Sequence, residues 1–415
     1  MIPLGSQVPA FAHASLTIPW FCPWRCLWVL AMRAVVSTFA AEVGEVIVAM
    51  TQLQRGLVQR ASDACKSVIM KACAQIPAIT LVGPISMHPY GSRVSGYGGP
   101  WSDLDVVAEI PFKPCLELTA FDQRQQNLHF MQTVLISAAQ VIVSEPGCGR
   151  VQAGAVTGKQ TLVFEFEGCL PVDLSVEQRW LPEWHWQSRS TTYISNALAG
   201  LPVVAQNLCR TVVMILKRQG VAWVDRQGVP LGTKSKGIHW VHMFIAWWRV
   251  SNPRHTDSYR LLYEFFTFVA FFPWKQSYVD LKSPTVIQAR TAYEEKEPMY
   301  LADPNWTDSN LFCRVDVHEA RRIEQILRAT RSNLFSIMIS CWQEVVTMWR
   351  EMKRSRLWMD AQAEGIRIQQ VLRPDEDMFR ALDLFYQGVC DTSTAGSVVR
   401  MPRIIYHPSP LQARG

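Results

Sequence analysis

Two aspartates flank a single leucine at the head of the run SDLDVVAEI, directly after the glycine- and serine-rich stretch YGSRVSGYGGPW. In a strand, residues two apart project to the same face, so Asp103 and Asp105 stand together while Leu104 and Val106 turn toward a core. The alternation commits this part of the chain to a half-buried sheet entered from a flexible loop. Like charges held side by side repel, and one of them takes up a proton unless a cation lies between them. A divalent metal ion is the expected partner.

With 415 residues the chain has room for two or three domains with substantial cores. An apolar fraction of 49% against 18% charged residues is ordinary for a globular enzyme, and the formal net charge of +6 favours a polyanionic partner without identifying one. Eleven cysteines are scattered singly, with no CxxC and no Cys/His cluster at zinc spacing. That pattern reads as reduced, mostly buried thiols of an intracellular compartment. Residues 1–41 hold no Asp or Glu, carry Arg25 and Arg33, and include the apolar run WFCPWRCLWVLAMRAVVSTFAA. Arg25 interrupts the run, which makes the segment more like a mitochondrial presequence than a secretory signal. Pro19, Pro23 and Arg25 argue against a membrane anchor, and Met32 or Met50 are alternative start sites.

Apolar positions recur at three and four from Gly44 to about Gln75, which predicts a long amphipathic helix, and AITLVGPIS then predicts a strand. Residues 113–142 have a helical pattern, and QTLVFEFEGCLPVDLSVE offers two strands with turn signals at Gly168 and Pro171. Beyond about residue 180 the texture becomes aromatic and helical: AQNLCRTVVMILKRQG and KGIHWVHMFIAWWRV read as buried helices, and 317–371 as a long helical region. The expected organisation is a leader over 1–43, a mixed α/β catalytic domain over 44–180, a helical domain over 181–372, and a C-terminal helix and tail over 373–415. The active site belongs in the cleft between the two domains.

The loop and the paired carboxylates together have a chemical logic. Backbone amides and hydroxyls at a glycine loop can approach triphosphate oxygens closely, while paired aspartates hold the cations that bridge those oxygens. Gly91 and Ser92, Gly96, and Ser102-Asp103-Leu104-Asp105 resemble the glycine-serine and D-x-D pattern of DNA polymerase β-like nucleotidyltransferases. That family requires a third carboxylate on a neighbouring apolar strand, and LPVDLSV supplies Asp173. The resemblance implies an α+β fold, a mixed-sheet palm with helices packed against a mainly helical C-terminal domain. It also implies a two-metal site of Mg²⁺ or Mn²⁺ held by Asp103, Asp105 and Asp173, with phosphate contacts from Gly91, Ser92 and Ser102.

The helical half narrows the resemblance. YISNALAGLPVVAQNLCRTVVMILKRQG is similar to the segment of terminal uridylyltransferases and related poly(A) polymerases in which an Asn/Ser pair touches the ribose and a helix lysine meets the triphosphate. Here the pair is Ser195 and Asn196, and the lysine is Lys217. LADPNWTDSNLFCRVDVHEARRIEQILRAT resembles the D-P, spacer, N, long-helix signature that closes the base pocket, with Asp303 as its aspartate. Asp105 and Asp173 stand too close in sequence for an inserted middle domain, so the chain resembles a minimal terminal uridylyltransferase of the trypanosomatid, mitochondrial, editing-associated type. UTP as substrate, an RNA 3′ end as acceptor and an RNA-editing complex as partner are what that resemblance implies.

There are also departures. The positions four either side of Lys217 are Val213 and Val221, where the family usually has a second lysine. GTKSKGIHW occupies the place of the family's serine-tyrosine element, so Lys234 or Lys236 could restore the charge and Ser235 the hydroxyl, while Ile238, His239 and Trp240 remain alternatives for covering the base. A glutamate common three residues after Asp303 is replaced by Trp306, so a poly(A)-adding RNA nucleotidyltransferase using ATP stays an alternative, as does a catalytically weak subunit that binds RNA or protein. The Trp and Phe residues between 240 and 275 read as helical core. His239 and His242 are three apart with no third ligand nearby, which does not predict zinc. RGLVQRASDACK and REMKRSR read as solvated helix faces.

Overall fold

A period of two, apolar against polar, governs the centre of the molecule. The structure, a computed structural model, describes residues 43–353 apart from 78, 112–119, 152–160, 179–185, 223, 227–228, 292–295 and 306–308. The leader, the C-terminal tail and Trp306 therefore lie outside the described residues. Helical residues 43–53 lead into α1 (Arg55–Ala74), followed by β1 (Ser86–Tyr90), a single turn α2 (Gly91–Val94), β2 (Leu104–Ile110), α3 (Ala120–Val141), β3 (Cys148–Gly149), β4 (Thr161–Phe166) and β5 (Leu170–Gln178). The five strands form one mixed sheet in the order β1-β2-β5-β4-β3. β2 and β5 run parallel at its centre, and the other pairings are antiparallel.

Leu104, Val106, Ala108 and Ile110 of β2 and Leu170, Val172, Leu174 and Val176 of β5 turn to one face and are buried under α1 and α3. Leu57, Ala61, Cys65, Val68, Ile69 and Ala72 of α1 and Met131, Val134, Leu135 and Ala138 of α3 complete that core. Removing a Val or Leu side chain of this size from water stabilises by about 1.5–3 kcal/mol. The opposite face of the same strands carries Asp105, Asp173, Ser175 and Glu177, so one alternation builds the core and presents the acids.

The β4–β5 hairpin turns through Glu167 and Gly168, both with positive φ (48° and 69°), which suits the right-handed twist of the strands it joins. Pro171, expected as a turn signal, instead sits inside β5 opposite Glu165. A larger correction concerns β1. The strand predicted at AITLVGPIS is displaced along the chain to Ser86–Tyr90, and only its last residue falls in the strand. Pro84 has no N–H to give a ladder, whereas Pro89 is tolerated because β1 is an edge of the sheet.

The remaining elements are α4 (Trp186–Ala199), α5 (Val203–Arg218), β6 (Val224–Arg226) paired with β7 (Val229–Leu231), α6 (Gly237–Ser251), α7 (Ser258–Ala270), β8 (Ser277–Val279) paired with β9 (Ile287–Ala289), α8 (Val317–Ser332) and α9 (Leu334–Lys353). α6 is buried without interruption from His239 to Trp247. Its aromatic rings pack on Phe265 of α7 and on Phe312, with centroids 5.4–5.7 Å apart for Phe244, Trp247 and Trp240. Trp240, Phe244, Trp247, Phe265, Phe266, Phe272 and Trp274 are core, as the sequence predicts, whereas Trp248 and Phe268 are half-buried and Phe271 is exposed. The helical region predicted over 317–371 is two helices as far as residue 353, broken at Asn333, and the rest of it lies outside the described residues. α4 touches β1, α2 and α6, and so links the sheet to the helical elements. Among the described residues no helix is long and apolar enough to cross a membrane.

Candidate active site

Parallel pairing of β2 with β5 sets Asp105 directly beside Asp173 in register, and Asp103 stands one residue ahead of β2. One carboxylate oxygen from each of the three lies within 4.8 Å of the others. Among the described residues this is the grouping of side chains able to hold a metal, and the two histidines of α6 form no such group. Asp103 is exposed, while Asp105 and Asp173 are partly buried.

The loop between β1 and β2 is built around the acids. Gly91 has φ +78°, and a Cβ added there would come within 2.0 Å of Asp105 Oδ2, so only glycine lets the backbone pass. The Gly91 N–H donates to Thr191 Oγ1 of α4 at 3.0 Å, and the Ser95 hydroxyl donates to the Gly91 carbonyl at 2.8 Å. Arg93 is the knot of this loop. Its buried guanidinium donates to the carbonyls of Pro100 (2.9 Å) and Ser102 (3.1 Å from Nε) and to the Gln54 side chain. Those bonds fix the residues immediately before Asp103. Burial lowers the Arg93 pKa to about 10, although Asp103 works the other way.

Burial first, then the charges of Asp103 and Asp173, push the Asp105 carboxyl up to about 8; Lys236 and Lys217 only partly offset them. Three acids with insufficient positive charge around them, all offering hard oxygen donors, fit Mg²⁺ or Mn²⁺. Lys217, at the end of α5, is held below its ordinary pKa by burial, with Asp103 and Asp105 pulling it back up. A Cβ on Gly237 would meet Lys217 Cε at 3.7 Å and Tyr97 at 3.8 Å, so the start of α6 lies against both.

Structure separates the two candidate lysines. Lys234 turns to α8, 3.3 Å from Asp316 Oδ2 and 3.6 Å from Glu319 Oε2. Lys236 is exposed at the N-cap of α6, and its charge acts on Asp105. Ser235 and Ser102 serve the scaffold. The Ser235 hydroxyl is fully buried, donating to the Val221 carbonyl at 2.5 Å and accepting from Trp240 Nε1 at 3.0 Å. Ser102 Oγ, also buried, accepts from Gly99 N at 3.1 Å. Ser92 stays partly exposed, and its carbonyl accepts from Gly98 N at 2.8 Å.

On the helical side, Ser195 and Asn196 follow Thr191 along α4; Ser195 is partly exposed and Asn196 exposed. Asp303 is partly buried and accepts from Asn305 N at 2.8 Å. Its charge reaches His242, whose imidazole burial nevertheless drives down to about 4. His242 Nδ1 lies 2.8 Å from the Ile238 carbonyl, and the Tyr193 ring lies nearly parallel to the imidazole at 6.4 Å. Two of the proposed base-covering residues are otherwise engaged. Trp240 is fully buried, and His239 Nδ1 accepts from Lys236 N at 3.2 Å to cap α6.

Sequence reasoning missed Thr191, Tyr193 and Arg93. Thr191 and Gly91 are a hundred residues apart, and nothing local announces their contact. An arginine inside a glycine loop was a visible signal, because a charged side chain there must find carbonyls or water.

No family model matches the sequence, and no curated protein matches it. Solved structures do. The chain is similar to the poly(A) polymerase mtPAP in complex with GTP, with 16% identity, a TM-score of 0.50, and coverage of 67% of this chain and 65% of that one. The apo form of mtPAP gives 16% identity and 0.50 over 68% and 67%. Terminal uridylyl transferase 4 from Trypanosoma brucei with bound UTP gives 12% identity and 0.47 over 71% and 99%. The chain thus spans about two thirds of the length of mtPAP, and its fold is that of nucleotidyltransferase structures.

Proposed function

We propose that the chain is an RNA 3′-terminal nucleotidyltransferase, and within that class a template-independent uridylyltransferase that transfers UMP from UTP. The observation that carries the first part is the triad, three carboxylates converging within 4.8 Å beside a glycine loop, in a nucleotidyltransferase fold. The crystallised complex of mtPAP with GTP supports a nucleoside triphosphate as the donor. Two divalent cations bound by Asp103, Asp105 and Asp173 would supply Lewis acidity toward the attacking hydroxyl and neutralise the pyrophosphate that departs.

The chain's own groups do the positioning. Gly91 lets the loop backbone pass directly against the Asp105 carboxylate, which no side chain at that position would allow. Lys217 and Lys236 provide positive charge on the side of the site facing α6. Ser195 and Asn196 on α4 are available to the ribose, and Tyr193 is the aromatic ring nearest in sequence to them.

Asp303 supports the uracil assignment. A carboxylate accepts from the N3–H of uracil, directly or through water, whereas N1 of adenine is itself an acceptor and would face it with repulsion. A buried polar contact of this kind discriminates more strongly than an apolar pocket. The test supplies each nucleoside triphosphate separately with Mg²⁺ and a short RNA to the parent and to Asp303→Asn. UTP should have the highest kcat/KM in the parent, and the asparagine variant should lose most of the preference over ATP. Preference for ATP in the parent would replace the uridylyl assignment with a poly(A)-adding one, and incorporation of no nucleotide would overturn the class. The acid-free residues 1–41 support a mitochondrial destination, and an RNA-editing complex as partner belongs to the same proposal. Imaging of a fusion of that segment to a fluorescent protein tests the destination.

A further inference from the structure

The buried side of α7 is Leu261, Leu262, Phe265, Phe266 and Val269. Its other side carries Tyr263, Thr267 and, just past the helix end, Phe271, a stripe spaced by four that the core does not use. Tyr263 is 38% exposed and Phe271 58%. Two arginines of α8 lie along this stripe. The Arg331 guanidinium is 4.7 Å from the centre of the Tyr263 ring and 5.4 Å from that of Phe271, and Arg328 is 5.7 Å from Phe271. Among the described residues each is tethered through Nε alone, Arg331 to Thr267 Oγ1 at 2.9 Å and Arg328 to the Ala270 carbonyl at 3.5 Å. Neither has an acidic partner among the described residues. A cavity of about 400 Å³ adjoins the stripe and shares Tyr263 and Thr267 with it; Trp247, Ser251, Glu264 and Phe268 form the rest of its wall. The one acid there is already matched, since Glu264 pairs with Arg260 at 2.8 Å and with His255 at 3.3 Å.

We propose that this α7–α8 face binds single-stranded RNA, holding the substrate upstream of its 3′ end. Exposed aromatic rings, flat guanidinium groups and uncompensated positive charge on one surface match the two chemistries of a nucleic-acid strand: bases that stack and phosphates that need cations. A protein partner would equally bury the rings, but two arginines tethered at Nε and without an acidic partner among the described residues favour a polyanion. The proposal rests on the reading of the triad as an RNA-extending site, and the length of α8 connects the two. Asp316 at its start is paired with Lys234, two residues from Lys236, and Arg331 lies fifteen residues on. At 1.5 Å per residue that is about 22 Å. Such a span holds about six stacked nucleotides at roughly 3.4 Å each.

Binding of fluorescein-labelled RNA to the full chain is measured by anisotropy over a range of salt, using one RNA of about 4 nucleotides and one of about 18 with the same 3′ sequence. The Arg328→Ala/Arg331→Ala double variant and the separate Phe271→Ala variant are compared with the parent. The long RNA should bind about tenfold more weakly to each variant, and the salt slope of the double variant should fall by about 1.4, as expected for two lost phosphate contacts on a single strand. The short RNA should be extended with unchanged kcat and unchanged KM for nucleotide. Long-RNA affinity equal to the parent in both variants overturns the proposal and leaves the face to a protein. Equal losses on short and long RNA overturn it too, because the effect would then not depend on reaching upstream. Failure of the parent to extend any RNA would count against the triad reading instead, and the anisotropy comparison would still decide this one.

Discussion

Asp103, Asp105 and Asp173 act as a set, and the loss of one cannot be made good by water where two cations must be held. Each alanine variant should lower nucleotide addition by orders of magnitude, and a variant retaining a tenth of the parental rate with Mg²⁺ would remove that residue from the ligand set. The lysines divide differently. Lys217→Ala and Lys236→Ala should each raise KM for the nucleotide about tenfold, as expected for a charged hydrogen bond of roughly 1–3 kcal/mol, whereas Lys234→Ala, whose ammonium faces Asp316 and Glu319, should leave it unchanged. The opposite ranking in steady-state kinetics would show that the wrong end of the segment had been chosen. Asp105 also predicts a pH effect. Its carboxyl is raised from 3.8 to about 8 by burial and by its two neighbours, so the folded, metal-free protein keeps a proton that the unfolded chain releases between those values. Stability of the metal-free protein therefore falls as pH rises through that window and is level outside it. Glu177, raised to about 7 by burial and by Glu109, adds a slope of the same sign, so the diagnostic quantity is the difference between the parent and Asp105→Asn. Thermal melts from about pH 5 to about pH 8 should show a shallower decline in the variant, and a smaller rise in Tm on adding Mg²⁺ at the upper end. Identical slopes would mean that Asp105 does not carry the raised proton.

The loop that precedes β2 gives the clearest prediction at the level of an element. Gly91→Ala imposes a Cβ on positive φ and on the Asp105 carboxylate at once, while Gly149, in β3, has nothing within 4 Å of where its Cβ would go. Gly91→Ala should destabilise by about 1 kcal/mol or more and abolish most activity, and Gly149→Ala should do neither. Urea midpoints together with initial rates make the comparison, and equal behaviour of the two variants would refute the close approach. How much of each element could be read beforehand follows from where its information sits. β2, β5 and their acids were legible because period-two alternation is local, and α5 and α6 because their apolar runs are. β1 was misplaced because Pro84 and Pro89 carry their meaning only once the edge of the sheet is known. Ser235 and Ser102 looked like phosphate contacts because a hydroxyl in a loop shows its chemistry in the sequence but not its direction. Their hydrogen bonds to Val221 and from Gly99 decide that. Tyr193 and Thr191 were invisible for the converse reason: their partners, His242 and Gly91, lie far along the chain.

Across the whole molecule, the candidate site draws on the central sheet for its acids and on α5 and α6 for its lysines, with α4 touching both parts. A magnesium–nucleotide complex bound there bridges them. At about a hundred times its dissociation constant it should raise Tm by roughly 5 °C in a single cooperative transition. Calorimetry showing two transitions, only one of them moved by the nucleotide, would mean that the halves are not coupled through the site. The two ends of the sheet have a consequence of their own. One end is β3, only two residues long, and the other is β1, which contains Pro89 and a histidine paired with Glu109 across to β2. Along the β1 border the row of amides and carbonyls that a strand from another copy could zip onto is interrupted at Pro89, which has no N–H to give. That border is a poor template along which crowded copies could grow into fibrils, and a Pro89→Val change would begin to open it.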